Sequence, residues 1–157
     1  VILGEMVGNV VFGSDMEVAD WVASHIPEFK VDENSTALGV IRDGELIAGV
    51  IYERYNGVHV EVSIATADPR WAKRSTLKTL FGYPFNQLRC KAITVLVPSS
   101  NMESLNLATK LGFRPEAFIK YSAHDGSALV VLKMFKEDCH WIEEKNYGQR
   151  RSSTNTT

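Results

Sequence analysis

The stretch Asn101-Met102-Glu103-Ser104-Leu105-Asn106-Leu107-Ala108-Thr109-Lys110-Leu111-Gly112-Phe113 follows the apolar run Ile93-Thr94-Val95-Leu96-Val97 after the break Pro98-Ser99-Ser100. It reads as strand, turn, helix and stop. Side-chain oxygens between positions 98 and 101 can cap the amides that every helix start leaves without a partner. Leu105, Ala108 and Leu111 then repeat at helical spacing, and Gly112 supplies the left-handed residue that ends the helix.

Upstream, Asp68-Pro69 breaks the chain, and Leu77, Leu80, Phe81, Phe85 and Leu88 mark a helix that begins near Ser75 or Thr76 and is disturbed at Pro84. Residues 91–97 follow as a buried strand. Residues 37–42, 45–54 and 58–65 are rich in β-formers and are joined by Asp43-Gly44 and Asn56-Gly57, which favour hairpin turns. They predict an antiparallel meander. In its third strand Val58, Val60, Val62 and Ile64 alternate with His59, Glu61 and Ser63, so one face is apolar and the other carries a polar row. Before the meander, residues 14–27 open with a capping Ser14 or Asp15 and set Met16, Ala19, Val22, Ala23 and Ile26 on one helical stripe. Downstream, strands near 117–123 and 128–135 flank Asp125-Gly126. The expected order is helix, meander, helix, strand, helix and hairpin, a mixed α/β (α+β) arrangement without an internal repeat.

A chain of 157 residues carries one full core, so a single domain over residues 1–148 is expected, with a disordered polar tail at 149–157. Cys90 and Cys139 lack neighbours at zinc-ligand spacing, and neither a metal site nor a disulfide framework is expected. No run of 18 apolar residues occurs, and Val1-Ile2-Leu3 lacks the flanks of a signal peptide, so a soluble, cytoplasmic protein without a membrane partner is expected. A formal charge of −2 argues against nucleic-acid binding by bulk electrostatics, although Arg70, Lys73, Arg74 and Lys78 form a local basic patch. Trp21, Trp71, Trp141, Tyr83 and Phe85 read as aromatics of the core or its rim.

The stretch 101–113 resembles the second half of the acetyl-CoA site in the GNAT superfamily of N-acetyltransferases, which runs from Asn-x-x-Ser/Ala through apolar residues to Gly-Phe. Pro69-Arg70-Trp71, Tyr83-Pro84-Phe85-Asn86-Gln87-Leu88 and the ending from Met134 to Glu137-Asp138-Cys139-His140-Trp141 are similar to small GNAT proteins of a phage or prophage type, near the branch that acetylates ribosomal-protein N-termini. The resemblance spans residues 36–142. It implies the GNAT acyl-CoA N-acyltransferase fold: a mixed, mostly antiparallel sheet flanked by helices and splayed between strands ending near Ala65 and Val97.

Acetyl-CoA carries a pyrophosphate, which calls for backbone N–H groups and positive charge where a helix begins. By the resemblance Arg70, Lys73, Arg74, Ser75 and Thr76 hold it, with Lys73 and Ser75 standing where the GNAT loop has small residues, usually glycine. Main-chain groups of Ile64, Ala65 and Thr66 would hold the pantetheine arm, and Asn101 and Ser104 would lie near the arm and its thiol. The implied reaction moves an acetyl group from acetyl-CoA to a primary amine, of a protein N-terminus, a lysine or a small molecule, by direct attack in a ternary complex without a metal.

Such a transfer needs a base for the amine and a proton source for the thiolate. Glu61 on the polar row is the first candidate base and His59 the second. Many GNAT enzymes place an acidic Tyr where this chain has Ala108, and Ser104 is the replacement expected here. The acceptor pocket is expected around residues 29–34 and 121–127, where Asp32, Glu33 and Asp125, with nearby Glu28, are acidic. The alternatives are a catalytically weak acyl-CoA-binding or host-interaction protein of the same fold, and a phage factor acting on nucleic acid. Either a monomer or a homodimer fits.

Overall fold

Eleven strands and helices follow one another in the computed structural model, which describes residues 4–143. The expected tail at 149–157 lies outside the described residues. A short hairpin, β1 (Glu5–Val7) and β2 (Val10–Phe12), precedes α1 (Asp15–His25). The meander is β3 (Thr36–Arg42), β4 (Glu45–Glu53) and β5 (His59–Thr66). Then come α2 (Arg74–Gly82), β6 (Ala92–Pro98), α3 (Met102–Leu111), β7 (Arg114–Ile119) and β8 (Leu129–Phe135).

Local chemistry explains most of these boundaries. Asp43 and Gly44 both take positive φ, 52° and 80°, as the tight β3–β4 turn requires. The Asn56 side chain instead accepts the N–H groups of Val58 and His59 at 3.0 and 2.9 Å, so the second turn is wider and β5 starts one residue later than expected. After α2 the chain passes through a π-turn at Tyr83–Gln87, which accommodates Pro84 as the sequence pattern anticipates.

Further features differ from expectation. The strands of the β1–β2 hairpin have three residues each, too short to show a period. Pairing of β7 starts directly after the α3 stop, at Arg114, and ends at Ile119 rather than running to 123; Tyr121, at φ 57°, has already turned. Met16 is 79% exposed and stands off the stripe of α1, whose buried residues are Val18, Ala19 and Val22.

The eight strands form one sheet in the order β1-β2-β3-β4-β5-β6-β8-β7. All neighbours are antiparallel except β5 and β6. One face is covered by α1, where Val18 and Val22 meet Val11, Ala37, Ile51 and Ala65. On the other face Leu77, Leu80 and Phe81 of α2 and Leu111 of α3 share a core with Val50, Val62, Ile93 and Leu132. Among the described residues no helix is long and apolar enough to cross a membrane.

Candidate active site

Only His59↔Ala92, Val60↔Ile93 and Glu61↔Thr94 pair β5 with β6. Beyond this last rung β5 stays with β4 as far as Thr66↔Ala48, and β6 stays with β8 as far as Pro98↔Leu129. The sheet therefore splits, and the vertex of the split is Glu61 and Thr94. Both strands run toward the open end, and each is followed by a helix, α2 eight residues after Thr66 and α3 four residues after Pro98. Two helix N-termini, the positive ends of their dipoles, thus stand beyond the carboxyl ends of the two parted strands. Val62, Ile64, Trp71, Leu77, Phe81 and Ile93 line an apolar cleft against the split.

Ile64, Ala65 and Thr66 lie on the parted stretch of β5, where Ala65 is buried and Thr66 is exposed. The basic loop after it is ordered by Asp68, whose Oδ1 accepts the Arg70 N–H at 2.9 Å and caps a 3-10 turn. Arg70 returns its guanidinium to the same carboxylate through Nε and, at 2.6 Å, through Nη2. These hydrogen bonds, the side-chain ones first, hold the Asp68 carboxyl down at about 2. Arg74 leans the other way, over the Trp141 ring at 5.9 Å and toward the His140 carbonyl oxygen at 3.5 Å. Lys73 and Ser75 are exposed, and buried Thr76 donates its hydroxyl to Asn9 Oδ1 at 2.7 Å. The first α2 bond runs from the Leu77 N–H to Lys73 O, so the amides of Arg74, Ser75 and Thr76 have no partner within the helix.

Across the split, Asn101 is the N-cap of α3 and its Oδ1 accepts the Ser104 N–H at 3.1 Å. Gly112 ends that helix at φ 112°. Exposed Asn101 and half-buried Ser104 therefore share one turn at the helix start. Ala108 is 6% exposed and packs in the core, so this position offers no hydroxyl. Before the helix Ser100 donates to Asp125, which also accepts from the Ser127 hydroxyl at 2.6 Å and N–H at 3.0 Å. These bonds, that from Ser100 first, hold the Asp125 carboxyl well below the usual carboxylate range. They tie the β7–β8 loop to the turn that sets Asn101.

On the α1 face of the vertex lies a polar cluster. Glu61 Oε2 accepts from Arg54 Nη1 at 2.7 Å. His59 Nε2 lies 2.5 Å from Thr94 Oγ1. Burial, then the charge of Lys133, lowers the His59 pKa, with Glu61 and Glu116 opposing, so the ring is neutral at neutral pH. Lys133 itself pairs with Glu116 at 3.0 Å. Glu53, the cross-strand partner of Glu61, is 4% exposed and accepts the Asp32 N–H at 3.0 Å, which anchors the segment after α1.

The structure thus gathers the expected residues around one split: residues 64–66 and the loop 70–76 on one side, Asn101 and Ser104 on the other, and Glu61 at the vertex. Sequence reading missed Arg54, Glu53 and Thr94. Thr94 was visible only as the one polar residue in an apolar run, and Thr is itself a strand former. Among the described residues no group of His, Cys, Asp and Glu is arranged to hold a metal ion.

No protein-family model matches the chain, and no curated protein matches it in sequence. Solved structures do match. A chimera of the spermidine N-acetyltransferase SpeG from Vibrio cholerae and hSSAT superposes with a TM-score of 0.65 at 13% identity, over 86% of this chain and 98% of that one. The Campylobacter jejuni N-acetyltransferase PseH in complex with acetyl coenzyme A gives 0.51 at 14% identity, over 67% and 70%. A probable acetyltransferase gives 0.58 at 18% identity over 68% of this chain, which spans 64% of that protein's length. At such identities the likeness establishes the fold: an open, mostly antiparallel sheet flanked by helices, as in GNAT acetyltransferases.

Proposed function

We propose that the chain is an N-acetyltransferase that moves the acetyl group of acetyl-CoA to a primary amine. The observation that carries this reading is the split after three parallel rungs, with the starts of α2 and α3 at its open end. A linear arm with a pyrophosphate at one end suits this shape. The amides of Arg74, Ser75 and Thr76, with Lys73, receive the phosphates, and Arg70 joins them with the edge of its guanidinium that Asp68 leaves open. Thr76 contributes its amide, because its hydroxyl is held by Asn9. The arm then follows Ile64, Ala65 and Thr66 toward the vertex, with Asn101 and Ser104 beside the thiol.

At the vertex the amine attacks the thioester carbon while Glu61 takes its proton, and Ser104 passes a proton to the leaving thiolate as water returns one to its hydroxyl. The acceptor enters on the face of α1, between the segment that Glu53 anchors and the β7–β8 loop. The solved structures similar to this one include an enzyme named for spermidine, and an amine acceptor fits the acidic residues Asp32, Glu33 and Asp125 near that face. A second reading, a CoA-binding protein without turnover, draws on the Arg70–Asp68 pair and on buried Ala108.

Calorimetric titration with acetyl-CoA and desulfo-CoA, followed by an amine screen, separates the readings. Micromolar binding of both, with CoA release on adding an amine, is the expected result. Binding without release by any amine supports the second reading, and no binding removes both. Within the first, Glu61→Gln should lower kcat by about 100-fold or more while the acetyl-CoA dissociation constant stays within about twofold. An active Glu61→Gln protein across pH would show that the carboxylate is not the base.

A further inference from the structure

Glu61, Thr94 and His59 form a row at the vertex that neither half of the sheet makes alone. Glu61 and Thr94 are partners in the last parallel rung. Adjacent strands lie about 4.8 Å apart, so these side chains are neighbours on one face. His59 lies two residues before Glu61 on that face and closes the row, with its Nε2 2.5 Å from Thr94 Oγ1. Thr94 is 5% exposed, and a hydroxyl so buried is satisfied by a protein partner, here the imidazole. Arg54 already holds Oε2 of Glu61, which leaves Oε1 for an amine or a neighbouring hydroxyl.

We propose that Glu61, Thr94 and His59 form a proton relay that clears the acceptor amine's proton from the vertex, with the His59 imidazole as its terminus. The relay rests on the acetyl-transfer reading above. As the amine nitrogen bonds the thioester carbon, its N–H bond breaks and the proton passes to Glu61 Oε1. Glu61 passes it to Thr94 Oγ1 while the Thr94 O–H proton moves to His59 Nε2. Glu61 is then a carboxylate again, Thr94 a hydroxyl and His59 an imidazolium, which gives its proton to solvent from its partly exposed ring. Donation by Thr94 to Nε2 assigns the ring N–H of the resting state to Nδ1.

The charges facing the imidazole suit this role. Lys133 of β8 opposes a resting positive charge on the ring, Glu116 of β7 and Glu61 of β5 temper it, and Arg54 and Lys133 are each already paired with one of those carboxylates. The resting ring is neutral and ready to accept.

Three substitutions in the full chain test the relay. Thr94→Val keeps the branched shape and removes the hydroxyl, Thr94→Ser restores a hydroxyl, and His59→Gln keeps a hydrogen-bond partner that does not take up a proton. Thr94→Val and His59→Gln should each lower kcat on the order of 10- to 100-fold, the low part of the range for acid–base groups, with KM for acetyl-CoA unchanged and Thr94→Ser close to the parent. The parent kcat should fall on the acid side as His59 protonates, and this limb should vanish in both relay-breaking variants. NMR titration of labelled histidines, with the His59 signal identified by its loss in His59→Gln, reads the pair without turnover. There Thr94→Val should move the His59 midpoint upward, because the lost donor favoured the neutral ring. An unmoved midpoint, or an unchanged acid limb in both variants, overturns the relay and leaves acetyl transfer standing. A parent chain that acetylates no amine overturns acetyl transfer and the relay with it.

Discussion

Under the proposed reading, Asn101 joins stability and cofactor binding in one side chain. Its carbonyl oxygen caps α3 through the Ser104 N–H, an interaction typically worth about 1 kcal/mol. Its amide group is free of that duty and, under the proposed reading, faces the cofactor arm. Asn101→Asp keeps the capping oxygen and loses the amide, whereas Asn101→Ala loses both. Thermal denaturation should show Asn101→Ala less stable by about 1 kcal/mol and Asn101→Asp near the parent. Calorimetry should show weaker acetyl-CoA binding in both, and parental affinity in Asn101→Asp would take the amide out of the site. This residue was legible because its cap spans three positions, within reach of a local pattern. The Thr94–His59 contact spans 35 positions and depends on two strands meeting in parallel, which no local pattern encodes. Glu61 was legible as a member of a polar row, but its partner Arg54, across a loop at φ 55°, was not.

At the scale of elements, α1 lies close on the sheet because two strand residues have no side chain. A Cβ on Gly49 would come within 2.5 Å of Val22 Cγ2 and 3.2 Å of Val18 Cγ1. Both are β-branched helix residues with few rotamers, so they cannot swing aside. A Cβ on Gly39 would meet the flexible end of Leu46 at 2.5 Å and Val18 at 2.9 Å. Gly49→Ala should therefore cost about 1–3 kcal/mol by overpacking, a loss that urea denaturation reads directly. Gly39→Ala should cost less, since Leu46 can yield part of the space; an equal or larger loss there would mean that Val18 and Val11, at 2.9 and 3.0 Å, set the spacing. From sequence these glycines look only like weak points in strands. Their role appears once α1 is laid across β3 and β4, and the same placement explains why Met16, expected inside, is outside. The helix α3 was read nearly to the residue, because its cap, apolar stripe and stop are local signals, whereas α2, whose N-cap Lys73 makes no side-chain capping bond, starts at Arg74, before the expected Ser75 or Thr76.

For the whole molecule the decisive feature is that one sheet is made of two parts, β1 to β5 and β6 with β8 and β7, whose strands are joined by three rungs. The pairs β3–β4, β4–β5 and β7–β8 could be read from turn residues, and the resemblance put the splay between the strands ending near Ala65 and Val97, but the rung at which the sheet parts, Glu61↔Thr94, could not be read. That rung pairs two strands separated in the chain by α2, so no local pattern encodes it. Backbone groups that face a split lack the ladder that protects the rest of a sheet, so their amides should exchange with solvent faster than those buried inside it. A cofactor that lies between the two parts fills that missing ladder and touches both. Acetyl-CoA at 100 times its dissociation constant should stabilise the fold by about 2.7 kcal/mol and raise its melting temperature accordingly. Hydrogen exchange should locate the effect: amides at 62–66 and 95–97 should slow more than those of α1, which packs on the far side of β3 and β4. Slowing confined to residues 69–76 would mean that the phosphates dock on the loop while the arm stays outside the split, and acetyl transfer at Glu61 would then have no route to its donor.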